Sequence, residues 1–267
     1  MTAVTVPELQ RAWQAIRQGQ FADLPSSSSR RNVAGQWYPA EPVLPVLGAH
    51  GQSGASTVAL ALATRAAPAR VVECASAHAS GLVAAPTAEL GRCTQMWTRG
   101  QRNEVLVDRC SDILFGSTDV PLPTGITHPV TRTVLDVAWD ATHVLSQKSW
   151  LSALLLDASC VVVTSVASVP ALRRMETTLG LLPDPSRVVA AIVGPPAKRW
   201  PRALTGSLGP VTRRLLCARQ VVAVPVETGL KITGVTPEPL PQPLLTAAGE
   251  ILRITEAMPT HSKKDES

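Results

Sequence analysis

The segment Val43–Ala63, VLPVLGAHGQSGASTVALALA, decides the reading of this 267-residue chain. Val43 to Ala49 is a nearly continuous apolar run, as a strand buried on both faces of a parallel sheet requires. Gly51 and Gly54 lie in the turn that follows, and Ser56-Thr57 open an Ala/Leu-rich helix. Strand, glycine turn, helix is the setting in which backbone N–H groups converge on an anion at a helix N-terminus. The hydroxyl of Ser56 stands where such loops ligate Mg²⁺. The match to G-x-x-x-x-G-K-[ST] is incomplete, because Ala49 replaces the opening glycine and Ala55 the lysine. A tight glycine turn that only feeds a helix accounts for the same residues.

Beyond this segment, short apolar runs alternate with helical stretches. The expected strands are Val43–Ala49, Ala69–Cys74, Glu104–Arg109, Arg132–Ala138, Cys160–Ser165, Arg187–Val193 and Gln220–Pro225. The expected helices are Ala55–Ala66, Lys148–Leu156, Val169–Leu181, Pro201–Leu208 and Leu244–Ala257. Such alternation predicts a doubly wound α/β domain, with a mostly parallel sheet of about seven strands and helices on both faces. Upstream, residues 7–21 read as a short amphipathic helix and SSSSRR at 26–31 as a linker. The expected organisation is a helix and linker over 1–40, one α/β domain over 41–258, and a polar tail over 259–267.

Composition narrows the function classes. A 45% hydrophobic content is ample for a core and excludes wholesale disorder. Six Trp, two Phe and one Tyr are too few for stacking along a long single strand of nucleic acid. The net charge of +5 permits, without demanding, contact with an anionic surface. Cys74, Cys93, Cys110, Cys160 and Cys217 form no CxxC and no zinc-type cluster with histidine. With no secretory signal in view, they read as buried free thiols of a cytoplasmic protein. No apolar stretch is long enough to span a bilayer, and the last helix lacks the cationic face of a membrane anchor.

Several motifs fall in one order. His50-Gly51-Gln52-Ser53-Gly54-Ala55-Ser56-Thr57 occupies the frame K-G-G-x-G-K-[ST]-T. VVECASAHASGL carries Glu73 at a strand end, with Ala75 where a second acid would fall. RTVLDVAWD ends a strand at Asp136. LDASCVVVTSVASVPALRR (Leu156–Arg174) and VVAVPVETG, with Pro225 and Glu227, follow at matching distances. In this order and over about residues 41–257, the chain resembles the ParA/MinD family, the deviant Walker A ATPases that position plasmids, chromosomes and cell machinery. Its texture is similar to ParA-like proteins of actinobacterial plasmids and integrated elements.

The resemblance implies a P-loop NTPase-like fold. It implies an ATP or ADP site formed by Gly51, Gln52, Ser53, Gly54, Ala55, Ser56 and Thr57, with Mg²⁺ at Ser56 and Asp136. It further implies a homodimer or a protein partner engaged through the nucleotide face or the N-terminal helix. Non-specific DNA contact would run through Lys198, Arg199, Arg202, Arg213, Arg214 and Arg219. The departures are specific. Both loop lysines are missing, with Ala55 and His50 in their places, and a neutral His50 is at best a partial, pH-dependent substitute. Losing one preorganised positive contact costs roughly 10²–10³ in rate. The adenine-reading Asn is replaced by Gly194 and two prolines. The expectation is therefore a degenerate, non-hydrolysing nucleotide-binding or scaffold component for positioning or transfer of plasmid or mobile-element DNA. The alternatives are a slow ATPase with a lysine or arginine supplied from elsewhere in the chain, Arg102 and Arg109 being candidates, or by a partner, or an interaction module that uses no nucleotide.

Overall fold

The computed structural model describes residues 35–258. The helix expected at 7–21, the linker at 26–31 and the tail at 259–267 lie outside the described residues. Within them, seven parallel strands form the body of one sheet: β1 (Val43–Gly48), β2 (Ala69–Glu73), β5 (Val105–Cys110), β6 (Arg132–Asp136), β7 (Val161–Val166), β8 (Val188–Val193) and β9 (Val221–Val224). These are the seven expected. Two more, β3 (Ala88–Arg92) and β4 (Trp97–Arg102), extend one edge antiparallel. The order across the sheet is β3-β4-β5-β2-β6-β1-β7-β8-β9, so the sheet has nine strands rather than about seven.

The two extra strands carried little signal. AELGR is exposed throughout, and WTRGQR has no aliphatic residue. The one cue was Asn103, which sits at φ 50 in the two-residue turn joining β4 to β5.

Strands buried on both faces divide their side chains between two apolar layers. Leu44, Val46, Val71 and Val134 pack under α1 (Ala55–Arg65) and α8 (Gln242–Ala257). Leu47, Val72, Leu135 and Val163 pack on the other side. There they meet α2 (Ala141–Ser146), α3 (Trp150–Asp157), α4 (Val169–Leu181), α5 (Arg202–Gly206) and α6 (Pro210–Cys217). A further short helix, α7 (Thr228–Thr233), precedes α8. Helices on both faces are thus as expected, with α2, α6 and α7 additional. Trp97, Trp150 and Trp200 are buried anchors, each donating its indole N–H to a backbone carbonyl, and Trp37 packs edge-on against Trp150. Cys74, Cys110 and Cys160 are buried thiols as expected. Cys93 and Cys217 are exposed, each on a polar surface segment.

β1 lies between β6 and β7. The first crossover runs past β6 to β2, and the later chain turns to the other side of β1. This is the topological switch point, where a crevice opens beyond the carboxyl ends of the strands.

The antiparallel edge is tied to the sheet by a buried charge triad. Asp108 on β5 is fully buried and receives Arg70 from β2 at 2.5 and 2.8 Å and Arg99 from β4 at 2.6 and 2.7 Å. Thr124 accepts from Arg99 at 3.0 Å. Removing the acid strands the Arg70 guanidinium in a dry site, and breaking such a network costs about 3–5 kcal/mol. Asp108→Ala is expected to lower the stability to urea unfolding by that amount. A loss below about 1 kcal/mol would show that the triad is not what holds the edge strands.

Candidate functional site

At the switch point, the chain between β1 and α1 forms one wall of an open cleft of about 560 Å³. That volume lies within the range of small-molecule sites. The cleft is lined by every loop residue singled out from the sequence: Gly51, Gln52, Ser53, Gly54, Ala55, Ser56 and Thr57. Asp136 and the turn Ala138–Asp140 face them, and Ala79, Gly81, Gly234 and Val235 close the sides.

The loop is built by its own bonds to β7. The Ala49 amide donates to the Thr164 carbonyl at 2.9 Å, and the hydroxyls of Ser53 and Thr164 are 2.8 Å apart. Gln52 and Gly54 both take left-handed backbone conformations, at φ 60 and φ 85. At Gly54 a Cβ would also lie 3.3 Å from Val193 Cγ2, so glycine is needed on two counts. Gly54 then serves as N-cap of α1, and no side chain caps the helix. Its first amides, from residues that line the cleft, are left to an acceptor in the cleft itself.

His50 does not extend out of the loop. Its Nδ1 lies 2.8 Å from the Gly51 carbonyl oxygen, and so carries the proton. Its Nε2 accepts from the Ser165 hydroxyl at 3.3 Å. The ring is thus a third tie between loop and β7, and the role of a charge reaching outward does not fit this geometry. Nor do Arg102 and Arg109 supply the missing cation. Arg102 donates to the carbonyls of Ala85, Thr236 and Glu238. Arg109 donates to the Val83 carbonyl and to both carboxylate oxygens of Glu89, at 2.6 and 2.8 Å. Neither lines the cleft. Among the described residues, no lysine or arginine does.

The floor of the cleft is acidic. Glu73 and Asp136 are register partners at the carboxyl ends of β2 and β6, and both are buried. Glu73 is fully used within the fold. It accepts from the Ser80 hydroxyl at 2.5 Å and from the amides of Gly81 and Leu82 at 2.6 and 3.1 Å. This bends the 76–82 segment over the cleft and sets the Gly81 backbone against Ser56, leaving under 3 Å between the Ser56 oxygen and the position of a Gly81 Cβ. Asp136 is the opposite case. It is wholly buried, and neither carboxylate oxygen has a regular hydrogen-bond partner. The cap of the helix that follows is Asp140 rather than Asp136. Asp140 accepts from the amides of Thr142 and His143 at 2.9 and 3.2 Å and starts α2. Burial, reinforced by the neighbouring Glu73 charge, pushes the Asp136 carboxyl up to about 7. The Ser56 hydroxyl and the Ala138 amide offset only part of that rise. A buried, unpartnered carboxylate lining the cleft beside a hydroxyl is a donor set that suits a hard divalent cation. Among the described residues, no three acidic, His or Cys side chains gather as a protein-only metal site.

Two features of the cleft had no clear sequence signal. Trp139 is positioned by an indole N–H bond to the Cys74 carbonyl at 2.8 Å and by stacking on His143. His143 in turn accepts from the Ser117 amide at 3.2 Å. The second is the Ser80–Leu82 turn, which is polar and lacks periodicity.

Away from the cleft, all six expected cations, Lys198 through Arg219, are exposed. They lie on α5, α6 and the flanking turns, and Arg173 and Arg174 of α4 join them. Residues 169–219 hold nine Lys/Arg against two Asp/Glu, so the rest of the chain is net negative. One of the two acids, Glu176, is spent accepting from the amides of Val211 and Thr212 at the start of α6.

No protein-family model matches the chain, and no curated protein is similar enough in sequence to match it. Solved structures do resemble it in fold. The MinD cell division protein of Aquifex aeolicus aligns over 84% of this chain and 100% of its own, at 14% identity and a TM-score of 0.50. The MinC:MinD complex of the same organism aligns over 83% and 98%, at 12% identity and 0.49. A plasmid partition protein of Borrelia burgdorferi B31, bound to AMPPNP, aligns over 80% and 97%, at 13% identity and 0.44. The first of these, at 0.50, gives the fold as that of the A. aeolicus MinD cell division protein.

The state of Asp136 gives a direct test of the cleft floor. A carboxyl whose folded pKa lies near 7, above its ordinary 3.8, favours folding while protonated. Stability is therefore expected to fall as pH rises from about 4 to about 7, by up to about 1.4 kcal/mol per pH unit, and then to level off. Asp136→Asn keeps the shape and removes the charge. The variant is expected to melt higher than the wild type at pH 8, by a margin that shrinks steadily toward pH 4. Equal melting temperatures at both pH values would show that Asp136 is not buried as a strained anion.

Proposed function

We propose that this chain is a ParA/MinD-like protein whose cleft binds ATP or ADP without efficient hydrolysis. It would serve as a switching or scaffold component in positioning or transfer of plasmid or mobile-element DNA. The observation that carries this reading is the joint arrangement of Gly51–Thr57, the uncapped start of α1, and the unpartnered Asp136 facing them. A ligand with phosphate groups and a divalent cation answers both the free amides and the orphaned carboxylate. Gly51, Gln52, Ser53, Gly54, Ala55, Ser56 and Thr57 would hold the phosphates, and Ser56 and Asp136 the Mg²⁺. Bound Mg²⁺ supplies charge neutralisation at the phosphates. The AMPPNP in the B. burgdorferi partition protein is consistent with this use of the fold.

Hydrolysis is a different matter. Phosphoryl transfer relies on positive charge fixed around the departing phosphates. Ala55 offers none, His50 is turned into its own loop, and Arg102 and Arg109 are committed elsewhere. This disfavours a slow ATPase that recruits either arginine. The exposed cations of 169–219 fit contact with DNA phosphates. The MinC:MinD complex gives precedent for a protein partner on this fold.

Calorimetric titration of ATP with Mg²⁺ is expected to give micromolar binding, weakened about tenfold or more by Ser56→Ala and by Asp136→Ala. Turnover should be negligible. No heat and no rise in melting temperature at millimolar ATP would sink the nucleotide reading and leave an interaction module. For DNA, the logarithm of the affinity should fall linearly with log salt, and Arg213→Glu with Arg214→Glu should flatten that slope by about two. An unchanged slope would remove this face from the proposed contact.

A further inference from the structure

We infer that the cleft recognises a nucleotide through its phosphates alone, and only as a complex with a divalent cation. The inference rests on the nucleotide reading above and narrows it to a ligand class: a metal-bound di- or triphosphate whose base goes unread.

The first half follows from charge. The side chains that line the cleft include the carboxylates of Asp136 and Asp140 and no lysine or arginine among the described residues. Glu73 adds a third acid just beneath. The attraction left for an anion comes from backbone amides and the partial charge at the start of α1, about half an elementary charge. A free nucleoside diphosphate would bring about three negative charges to a cleft whose charged side chains are the carboxyls of Asp136 and Asp140, with no cation among the described residues to meet it. A divalent cation reverses the sign of the Asp136 contribution and satisfies its two orphaned oxygens. In a loop that keeps its lysine, the side chain meets the phosphates whether or not metal is present. Here no lysine or arginine among the described residues lines the cleft to do so.

The second half follows from packing. The backbone turn after β8 is closed. Gly194 is at φ 147, and a Cβ there would lie 2.6 Å from Ala167 Cβ. Trp200 donates to the Pro195 carbonyl at 2.7 Å and fills the space behind that turn. No residue of the turn Gly194–Pro196 lines the cleft. The one aromatic side chain that does, Trp139, has its N–H bonded to the Cys74 carbonyl and a ring face on His143. A site that hydrogen-bonds a group of its ligand rejects analogues lacking it by large factors, whereas one without such bonds discriminates little.

The test uses the intact chain and reads binding by calorimetry and by the fluorescence of Trp139, with Trp139→Phe to assign the signal. ADP, GDP and UDP are titrated in Mg²⁺ and again in excess chelator. Expected are affinities within about tenfold of one another in Mg²⁺, and no saturation by any of them in chelator. Ala55→Lys is expected to restore metal-free binding, by about ten- to a hundredfold over the wild type, the worth of a charge-assisted contact. Its melting temperature shows whether the variant is folded. ADP binding equally well with and without metal would overturn the metal requirement. ADP binding far more tightly than GDP and UDP would overturn the phosphate-only recognition. Failure of all three to bind the wild type in Mg²⁺ would overturn the nucleotide reading itself, a result distinct from either.

Discussion

A buried carboxylate without a hydrogen-bond partner is costly, and the organisation of this molecule is set around one. Asp136 ends a strand in the middle of the sheet, with apolar layers on both sides and Glu73 as its register neighbour. Glu73 has solved its own burial by accepting three hydrogen bonds from the 80–82 turn. Asp136 has not. The helix that follows is started by Asp140 instead, and Ala138 bends at φ 58 to place it. An asparagine or valine at 136 would relieve the burial of charge, whereas the acid present lines the cleft beside Ser56.

The opposite wall is rigid for the complementary reason. In a loop that relies on a ligand to organise its amides, the free state is loose and binding must order it. Here three ties to Thr164 and Ser165 fix the loop in advance, one of them through a histidine ring. His50 braces the loop from within rather than reaching outward. With Ala55 beside it, the loop presents preformed backbone geometry rather than side-chain charge.

How much of this was visible in the sequence depends on which force set each feature. The seven parallel strands were legible because strands buried on both faces must be almost wholly apolar, and that pattern survives any local variation. The glycine loop was legible because Gly54 answers a steric requirement. The β3–β4 edge was not, since its stability comes from Arg70, Asp108 and Arg99, which lie far apart in the chain and read singly as ordinary surface charges. The fates of Arg102 and Arg109 were hidden for the same reason, because their partners are backbone carbonyls that no sequence displays. Asp136 was singled out correctly, but its unpartnered state is a three-dimensional fact.

The distribution of charge draws these elements together. The surplus of cations sits on α4, α5, α6 and their turns, over one face of the sheet, while the cleft at the strand ends is acidic. At physiological salt, exposed charges more than about 8 Å apart are largely screened from one another. None of these cations lines the cleft, whose positive potential comes from backbone amides and the start of α1. Charge is thus divided by element, with cations on the exposed helices and carboxyls at the strand ends.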